Sequence, residues 1–169
     1  MGTDGSMKVM IAYDGSEDSR RAVKYAGRFL NRADRGVDAV VVTAWESTVH
    51  QAARVSAMSG VLGPGSNEPT YLGVEDALHA EAAQTNRTGV DLAREVGMTT
   101  RGQLVEITST VWAAIVAAAD TENADVIVTG SRGATGLKAL LHSSTSEGVL
   151  KHCRRPVLIV PSGCADIVE

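Results

Sequence analysis

Four short apolar runs constrain the fold of this chain more than any other feature of its sequence. Each run is continuous rather than alternating, is rich in β-branched residues and is bounded by polar residues, glycine or proline. A run of this kind is typical of a parallel strand that is buried on both faces of a sheet. We therefore predict strands at residues 9–11, 40–42, 126–128 and 157–160, and a weaker fifth strand at 99–105.

Helical patterns lie between these runs. Apolar residues recur three or four positions apart at residues 19–30, 74–96, 110–119 and 144–152. Strands and helices that alternate along a chain form right-handed βαβ units, with helices on both faces of a parallel sheet. The sequence therefore predicts an α/β protein with a single open, doubly wound, five-stranded parallel sheet.

Composition narrows the class of protein. With 169 residues, of which 44% are apolar, the chain is long enough for one domain. Its formal net charge of −4 argues against nucleic-acid binding, which depends on basic contacts to phosphates. No apolar run approaches the roughly 20 residues that cross a bilayer, so we expect no membrane association and a cytoplasmic location. The sequon at Asn86 is expected to be a chance match.

Two segments stand apart from the predicted domain, which spans residues 7–163. Residues 1–6 have the composition of a cloning remnant before a native start near Met7. Residues 45–73 gather glycine, proline and polar residues in their second half, and such a composition buries too little apolar surface to offset its ordering entropy. We predict that this segment is a flexible insertion, either a lid over a ligand or a surface loop.

Candidate ligand-binding residues follow the predicted strands. Ligands of an open parallel sheet bind beyond the carboxyl ends of the strands, where the strand order reverses. If the first and fourth strands are neighbours, Asp14 and Gly130 lie across one crevice. A carboxylate suits ribose hydroxyls, and a glycine turn lets backbone N–H groups approach anionic oxygens. Asp-Gly-Ser is also common turn chemistry, so a turn role for Asp14 stays open.

A cluster of hydroxyl side chains precedes the last predicted helix. Ser144, followed three residues later by Glu147, forms a capping box, which predicts a helix N-terminus at residues 143–145. The free N–H groups and partial positive charge of such an end attract phosphate. Alone, this cluster indicates only a well-capped helix. Together with Gly130 and Gly133, it predicts a two-sided anion pocket.

Three stretches of the chain resemble the universal stress protein family. They are IAYDGSEDSRRAVKYA, NADVIVTGSRGATGLKALLHSS and CRRPVLIV. The likeness covers almost the whole chain apart from residues 45–73 and the first few residues. It implies the family's adenine-nucleotide alpha hydrolase-like fold, with strand order 3-2-1-4-5.

One position departs from the motif of the ATP-binding members of that family. They carry glycine, two residues, glycine, nine residues, and then glycine with serine or threonine. Gly130, Gly133 and Ser144 match, but Ser143 stands where the third glycine is expected. If this position needs a left-handed backbone, a side chain costs roughly 1–2 kcal/mol. Because about 1.4 kcal/mol is tenfold in affinity, Ser143 is expected to weaken ATP binding rather than abolish it.

The resemblance implies that ATP is the ligand. In ATP-binding relatives the acid after the first strand contacts the nucleoside, the backbone after the second strand contacts adenine, and the glycine turn holds the phosphates. Any Mg²⁺ would be held largely by phosphate oxygens, so no metal ligand is predicted in the protein. The resemblance also implies a homodimer through the edge strand at Pro156 to Val160. The site residues carried over by position are Ala12, Asp14, Thr43, Ala44, Gly130, Arg132, Gly133, Ser143, Ser144 and Thr145.

The functional prediction is an ATP-binding stress-response regulator or nucleotide-dependent switch, with at most slow ATP hydrolysis. A dimeric interaction module of the same fold that binds no nucleotide explains Ser143 equally well and stays open. An ATP pyrophosphatase-like enzyme is a second alternative, although residues 14–19 lack the double glycine of that phosphate loop. We predict no catalytic residue, because the chain has no P-loop, no HExxH motif and no convincing nucleophile beside a histidine.

Overall fold

The structure, a computed structural model, describes residues 6–30, 36–52, 68–131 and 145–164. Strands and helices alternate through these ranges, with a short additional helical segment at residues 48–52. The strands are β1 (Met7–Ala12), β2 (Val37–Trp45), β3 (Thr99–Glu106), β4 (Val126–Gly130) and β5 (Val157–Val160). The helices are α1 (Glu17–Leu30), α2 (Glu68–Glu95), α3 (Val111–Glu122) and α4 (Thr145–His152).

The five strands form one parallel sheet in the order β3-β2-β1-β4-β5, as predicted. Central β1 pairs with β2 from Met7↔Val37 onward and with β4 through Ile11↔Val128. The chain adds β2 and β3 on one side of β1, and then β4 and β5 on the other. The strand order therefore reverses between β1 and β4, which makes their carboxyl ends the place where a ligand of such a sheet is expected.

Two apolar layers cover the two faces of the sheet. On one face, α1 and α2 pack against Val9 and Ile11 of β1 and against Tyr13, which follows the strand. On the other face, α3 and α4 pack against Met10 and Ala12. Successive residues of a strand point to opposite faces, so a strand that is covered on both sides must be apolar at every position. This arrangement is the physical origin of the continuous runs in the sequence.

The predicted and observed elements differ mainly at their ends. The helix predicted at 74–96 begins at Glu68, so the segment predicted as an insertion at 45–73 contains the first turns of α2. Periodicity marks only the part of a helix that packs on a core, and the first buried residue of α2 whose side chain is described is Ala82. Residues 53–67 lie outside the described part of the chain. None of the described helices, including α2, is long and apolar enough to span a membrane.

Candidate functional site

Asp14 follows β1 and Gly130 ends β4, and these two strands are neighbours where the strand order reverses. The pairing Ile11↔Val128 leads toward Asp14 along one strand and toward Gly130 along its neighbour. Asp14 is exposed, and its Oδ1 accepts a hydrogen bond of 3.0 Å from the Ser16 backbone N–H. This bond forms an Asx turn that brings the chain from β1 into α1. Asp14 therefore has a turn role and also presents a carboxylate at the carboxyl edge of the sheet.

The two alanines of the predicted site occupy neighbouring strands. Ala12 is 9% exposed and belongs to the layer beneath α3 and α4. Ala44 follows Val42 by two residues, so it projects from the same face of the sheet, and it is half-buried. Both residues therefore carry a methyl side chain on the same face of neighbouring strands.

Thr43, which directly precedes Ala44 in β2, points to the opposite face of the sheet. Its side chain is 4% exposed, and its hydroxyl donates to the Tyr13 carbonyl oxygen at 2.8 Å. The same hydroxyl accepts from Asn86 Nδ2 at 3.1 Å. The Thr43 side chain thus joins the ends of β1 and β2 to α2, and it is occupied by these internal contacts.

Asn86 is an important residue that sequence reasoning missed. It is 7% exposed, and Nδ2 donates to the Val41 carbonyl at 2.9 Å and to the Gln103 carbonyl at 3.2 Å. A Cβ atom at Gly102 would lie 1.9 Å from Asn86 Oδ1, so glycine is required there. Because its amide is buried and engaged, the sequon is a chance match in this fold. A glycine inside a predicted strand was the one available signal of this close approach.

Tyr13 directly precedes Asp14 in the chain, and its ring packs in the layer formed with α1 and α2. Its ring packs against Gly89 of α2, where a Cβ atom would lie 2.6 Å from Tyr13 Cδ1. The hydroxyl is buried and has no hydrogen-bond partner among the described residues. Burial raises the pKa of the phenol above its ordinary value; Arg20 lowers this pKa by a smaller amount, and Asp14 and Glu17 raise it slightly. The neutral phenol is therefore a packing group rather than a proton donor at neutral pH.

Gly130 is required by close packing at the end of β4. A Cβ atom there would lie 2.7 Å from the carbonyl carbon of Asp18 and 2.8 Å from its oxygen. These are backbone atoms of α1, which cannot move aside without shifting the helix. Glycine is therefore needed at this position whether or not an anion binds beside it.

Ser131, the first residue after β4, is bonded to two other parts of the chain. Its backbone N–H donates to the Val160 carbonyl at 2.9 Å, which extends the pairing of β4 with β5. Its hydroxyl donates to Asp18 Oδ2 at 3.2 Å and accepts from the Ser162 N–H at 3.0 Å. Sequence reasoning missed Asp18 because its partner is 113 residues away.

Part of the predicted site falls where the structure gives no description. Arg132, Gly133, Ser143 and Ser144 lie outside the described residues. Thr145 is the first residue of α4 and lies within the range 143–145 that was predicted for its N-terminus. Among the described site residues, the structure brings Asp14 and Gly130 to adjacent strand ends and turns the Thr43 side chain away from Ala12 and Ala44.

A second polar cluster follows β2 and β3. His50 Nδ1 lies 2.8 Å from Ser47 Oγ and 3.2 Å from Glu106 Oε1. Both partners share one ring nitrogen, and Ser47 is 3% exposed. A catalytic serine needs an accessible hydroxyl and a histidine whose other nitrogen is oriented by the acid, so this cluster is structural. In the described ranges, no group of three or more His, Cys, Asp or Glu side chains is arranged to hold a metal ion.

Solved structures share this architecture. The protein MJ0577 of Methanocaldococcus jannaschii superposes with a TM-score of 0.70 at 21% identity, covering 94% of this chain and 98% of that one. The universal stress protein of Archaeoglobus fulgidus in complex with dAMP gives 0.57 at 21% identity, covering 93% and 98%. An Arabidopsis thaliana family protein with AMP bound gives 0.59 at 16% identity, covering 92% and 91%. At these identities the likeness shows the fold alone.

Sequence comparison shows the family. Universal stress protein MJ0531 of Methanocaldococcus jannaschii is 30% identical over 153 residues, which cover 90% of this chain and 81% of that protein. The family model of the universal stress proteins matches residues 5–161, nearly the whole chain, including β1–β5 and α1–α4. On these grounds the chain belongs to the universal stress protein family.

Proposed function

We propose that this protein binds ATP at the carboxyl ends of β1 and β4 and acts as a nucleotide-dependent regulator of a stress response in the cytoplasm. The observation that carries the proposal is the adjacency of exposed Asp14 and the Gly130–Ser131 corner at the reversal of strand order. The family members solved with dAMP and AMP support an adenine nucleotide as the class of ligand. The choice of ATP rests on the glycine motif.

The described residues fit the chemistry of such a ligand. The carboxylate of Asp14 accepts hydrogen bonds from ribose hydroxyls. Small Ala12 and Ala44 leave space for the base, whose edge would meet the backbone of Ala44. We propose that the phosphates bind backbone N–H groups beyond Ser131, whose own N–H is bonded to the Val160 carbonyl, and those at the start of α4, which begins at Thr145. The remaining proposed phosphate contacts are Arg132, Gly133, Ser143 and Ser144.

High-turnover catalysis is not part of the proposal. The Ser47 and His50 pair has a buried hydroxyl, which is unsuited to nucleophilic attack on a ligand. Mg²⁺ would bind mainly to phosphate oxygens and supply some stabilisation of charge on them. Slow hydrolysis of ATP to ADP is consistent with this arrangement, whereas release of AMP and pyrophosphate would indicate the pyrophosphatase alternative.

Calorimetry with Mg-ATP tests the proposal. Asp14→Asn is expected to weaken binding about tenfold, because hydrogen bonds to a charged group contribute about 1.5–3 kcal/mol and asparagine retains part of them. Asp91→Asn is the matched control, since Asp91 is exposed on α2 and pairs with Arg94. Absence of heat at millimolar Mg-ATP, or equal affinity of wild type and Asp14→Asn, would contradict this assignment.

The β5 edge supports a second candidate function, a dimeric interaction module. β5 pairs with β4 on one side and is the last strand of the sheet on the other. An unpaired edge strand presents backbone N–H and C=O groups to another chain. We propose a homodimer through Pro156 to Val160, for which sedimentation should give twice the mass of the chain. A dimer that gives no heat with ATP would favour the interaction module.

A further inference from the structure

We propose that the second half of α1 carries a docking surface for a short acidic segment of a partner protein that also contains an apolar side chain. This surface, called the α1 patch below, consists of Lys24, Tyr25, Arg28 and Phe29. It occupies the last two turns of α1, whereas Asp14 precedes the first turn of that helix. The inference therefore goes beyond the proposed nucleotide site and does not depend on ATP binding.

The apolar part of the α1 patch is a stacked pair of aromatic rings. The ring centroids of Tyr25 and Phe29 lie 5.6 Å apart, and the two ring planes are inclined by 16°. Tyr25 is half-buried and packs partly against the core, whereas Phe29 is 54% exposed. Phenylalanine is among the side chains that are most often buried. A phenyl ring that is held in a stack and is still more than half exposed offers apolar surface to a partner.

Two cations lie beside the aromatic pair. Lys24 and Arg28 are four residues apart and exposed, so they are neighbours on the outer face of the helix. Within the described ranges of the chain, neither side chain forms an ion pair. In the first half of α1, by contrast, Arg21 pairs with Glu17 at 3.7 Å. The second half of the helix therefore presents two positive charges that can interact with an acidic partner.

Charge complementarity identifies the class of partner. The chain has a formal net charge of −4, so the α1 patch is a local basic region on an acidic protein. An acidic segment is attracted to such a region and repelled by the net charge elsewhere, which orients it before contact. The stacked rings then provide the apolar contact, because aromatic side chains contribute much of the affinity at protein interfaces. The expected segment carries two carboxylates and one aromatic or aliphatic residue.

Other anionic partners match the α1 patch less well. Recognition of an anionic membrane typically uses clusters of about four to eight basic residues, whereas the patch has two. Nucleic-acid binding depends on several contacts between cations and phosphates, and a protein of net charge −4 opposes them. Contact of the patch with the same patch of a second copy would bring four cations together. A short acidic segment of another protein avoids each of these costs.

Selection from a displayed library of random dodecapeptides on the full chain tests this inference. The enriched peptides should carry at least two carboxylates and one aromatic or aliphatic residue. Fluorescence anisotropy then measures the affinity of one enriched peptide for each variant. A double variant with Lys24→Gln and Arg28→Gln should bind about tenfold more weakly, and Phe29→Ala should lose a similar factor. Raising NaCl from about 0.1 M to about 0.5 M should weaken binding to the wild type severalfold.

The matched control is a double variant with Arg87→Gln and Arg94→Gln. It removes the same charge from exposed positions on α2, where Arg87 bonds to Gln84 at 2.8 Å and Arg94 pairs with Asp91 at 3.3 Å. This control should bind the peptide within about twofold of the wild type. The substituted positions are all exposed, so the variants are expected to fold, which circular dichroism checks. If Phe29→Ala does not fold, the comparison of the two double variants decides.

Four results would overturn the proposal. The first is a selection that enriches no acidic peptides. The second is an equal loss of affinity in the two double variants, because the effect would then reflect overall charge. The third is a change from dimer to monomer in sedimentation of Phe29→Ala, which would assign the α1 patch to contact between copies. The fourth is binding to phosphatidylserine vesicles that requires Lys24 and Arg28 and is not displaced by the enriched peptide, which would assign the patch to a membrane surface.

Discussion

Replacing the buried Asn86 with leucine is expected to destabilise the fold strongly, although the two side chains are similar in size. Nδ2 of Asn86 donates to the carbonyls of Val41 and Gln103 and to the hydroxyl of Thr43. Leucine fills the same space but has no donor. Carbonyl groups of two strands then lose the Asn86 donor at a site that is 7% exposed, where water replaces the lost bonds poorly.

The magnitude follows from the number of donors that are lost. An amide side chain has two N–H groups, so the three acceptors around Asn86 share two hydrogens. A buried acceptor that is left unsatisfied costs about 1–3 kcal/mol, and we expect a total loss of about 3 kcal/mol after the added apolar burial of leucine. In a domain of this size each kcal/mol lowers Tm by about 2–4 °C, which predicts a fall of roughly 6–12 °C.

Urea unfolding followed by circular dichroism measures this effect. Gln84→Leu is the matched control, because Gln84 is exposed on the same helix two residues earlier and should change the free energy of unfolding by less than about 0.5 kcal/mol. A loss of less than about 1 kcal/mol in Asn86→Leu, or equal losses in the two variants, would refute the reasoning.

Gly102→Ala should also destabilise the wild type. The loss should be much smaller in an Asn86→Ala background, where the new Cβ atom no longer contacts Asn86 Oδ1.

Two further predictions concern a buried hydroxyl and a helix end. Tyr13→Phe should raise the free energy of unfolding by about 0.5–1 kcal/mol, because the buried hydroxyl has no hydrogen-bond partner within the described ranges of the chain. Because burial raises the pKa of this phenol in the folded protein, the free energy of unfolding of the wild type should fall as pH rises above about 10. Urea unfolding should show a smaller fall in the Phe variant. A Phe variant that is less stable than the wild type would contradict the prediction. Arg155→Met removes donors to the Ala124 carbonyl at 2.7 Å and Asp120 Oδ1 at 3.0 Å, near the C-terminus of α3. Urea unfolding should show that Arg155→Met lowers the free energy of unfolding by about 1–2 kcal/mol. The control Arg154→Met, at an exposed position, should lower it by less than about 0.5 kcal/mol. Equal losses in the two variants would contradict a stabilising role for the Arg155 contacts.

The strands could be predicted because their environment is uniform along their length. Val40, Val41 and Val42 are all nearly inaccessible to solvent, since helices cover both faces of the sheet. Every position of such a strand selects an apolar side chain, so the run is visible without knowledge of its neighbours.

Residues that join distant segments could not be predicted in this way. Asn86 reads as an ordinary polar residue on a helix, and its role appears only when α2 lies across β2 and β3. Asp18 likewise fits the first turn of any helix, where acidic residues are common. Gly130 was interpreted as a corner for phosphates, but its packing against Asp18 requires glycine there independently. These contacts join residues that are far apart in the sequence, so no local sequence pattern predicts them.

By itself, the sequence determined which segments become strands and helices, that the sheet is parallel, and which polar residues follow its strands, because these features depend on local propensity and on burial along one element. Its resemblance to a family added the order of the strands. Tertiary structure alone decided that Thr43 points away from Ala44, that Asn86 bridges two strands, and that Ser131 is bonded to Asp18 and Ser162. These contacts depend on which segments are brought together when the chain folds. A buried hydrogen bond stabilises the protein only after folding has placed its donor beside its acceptor.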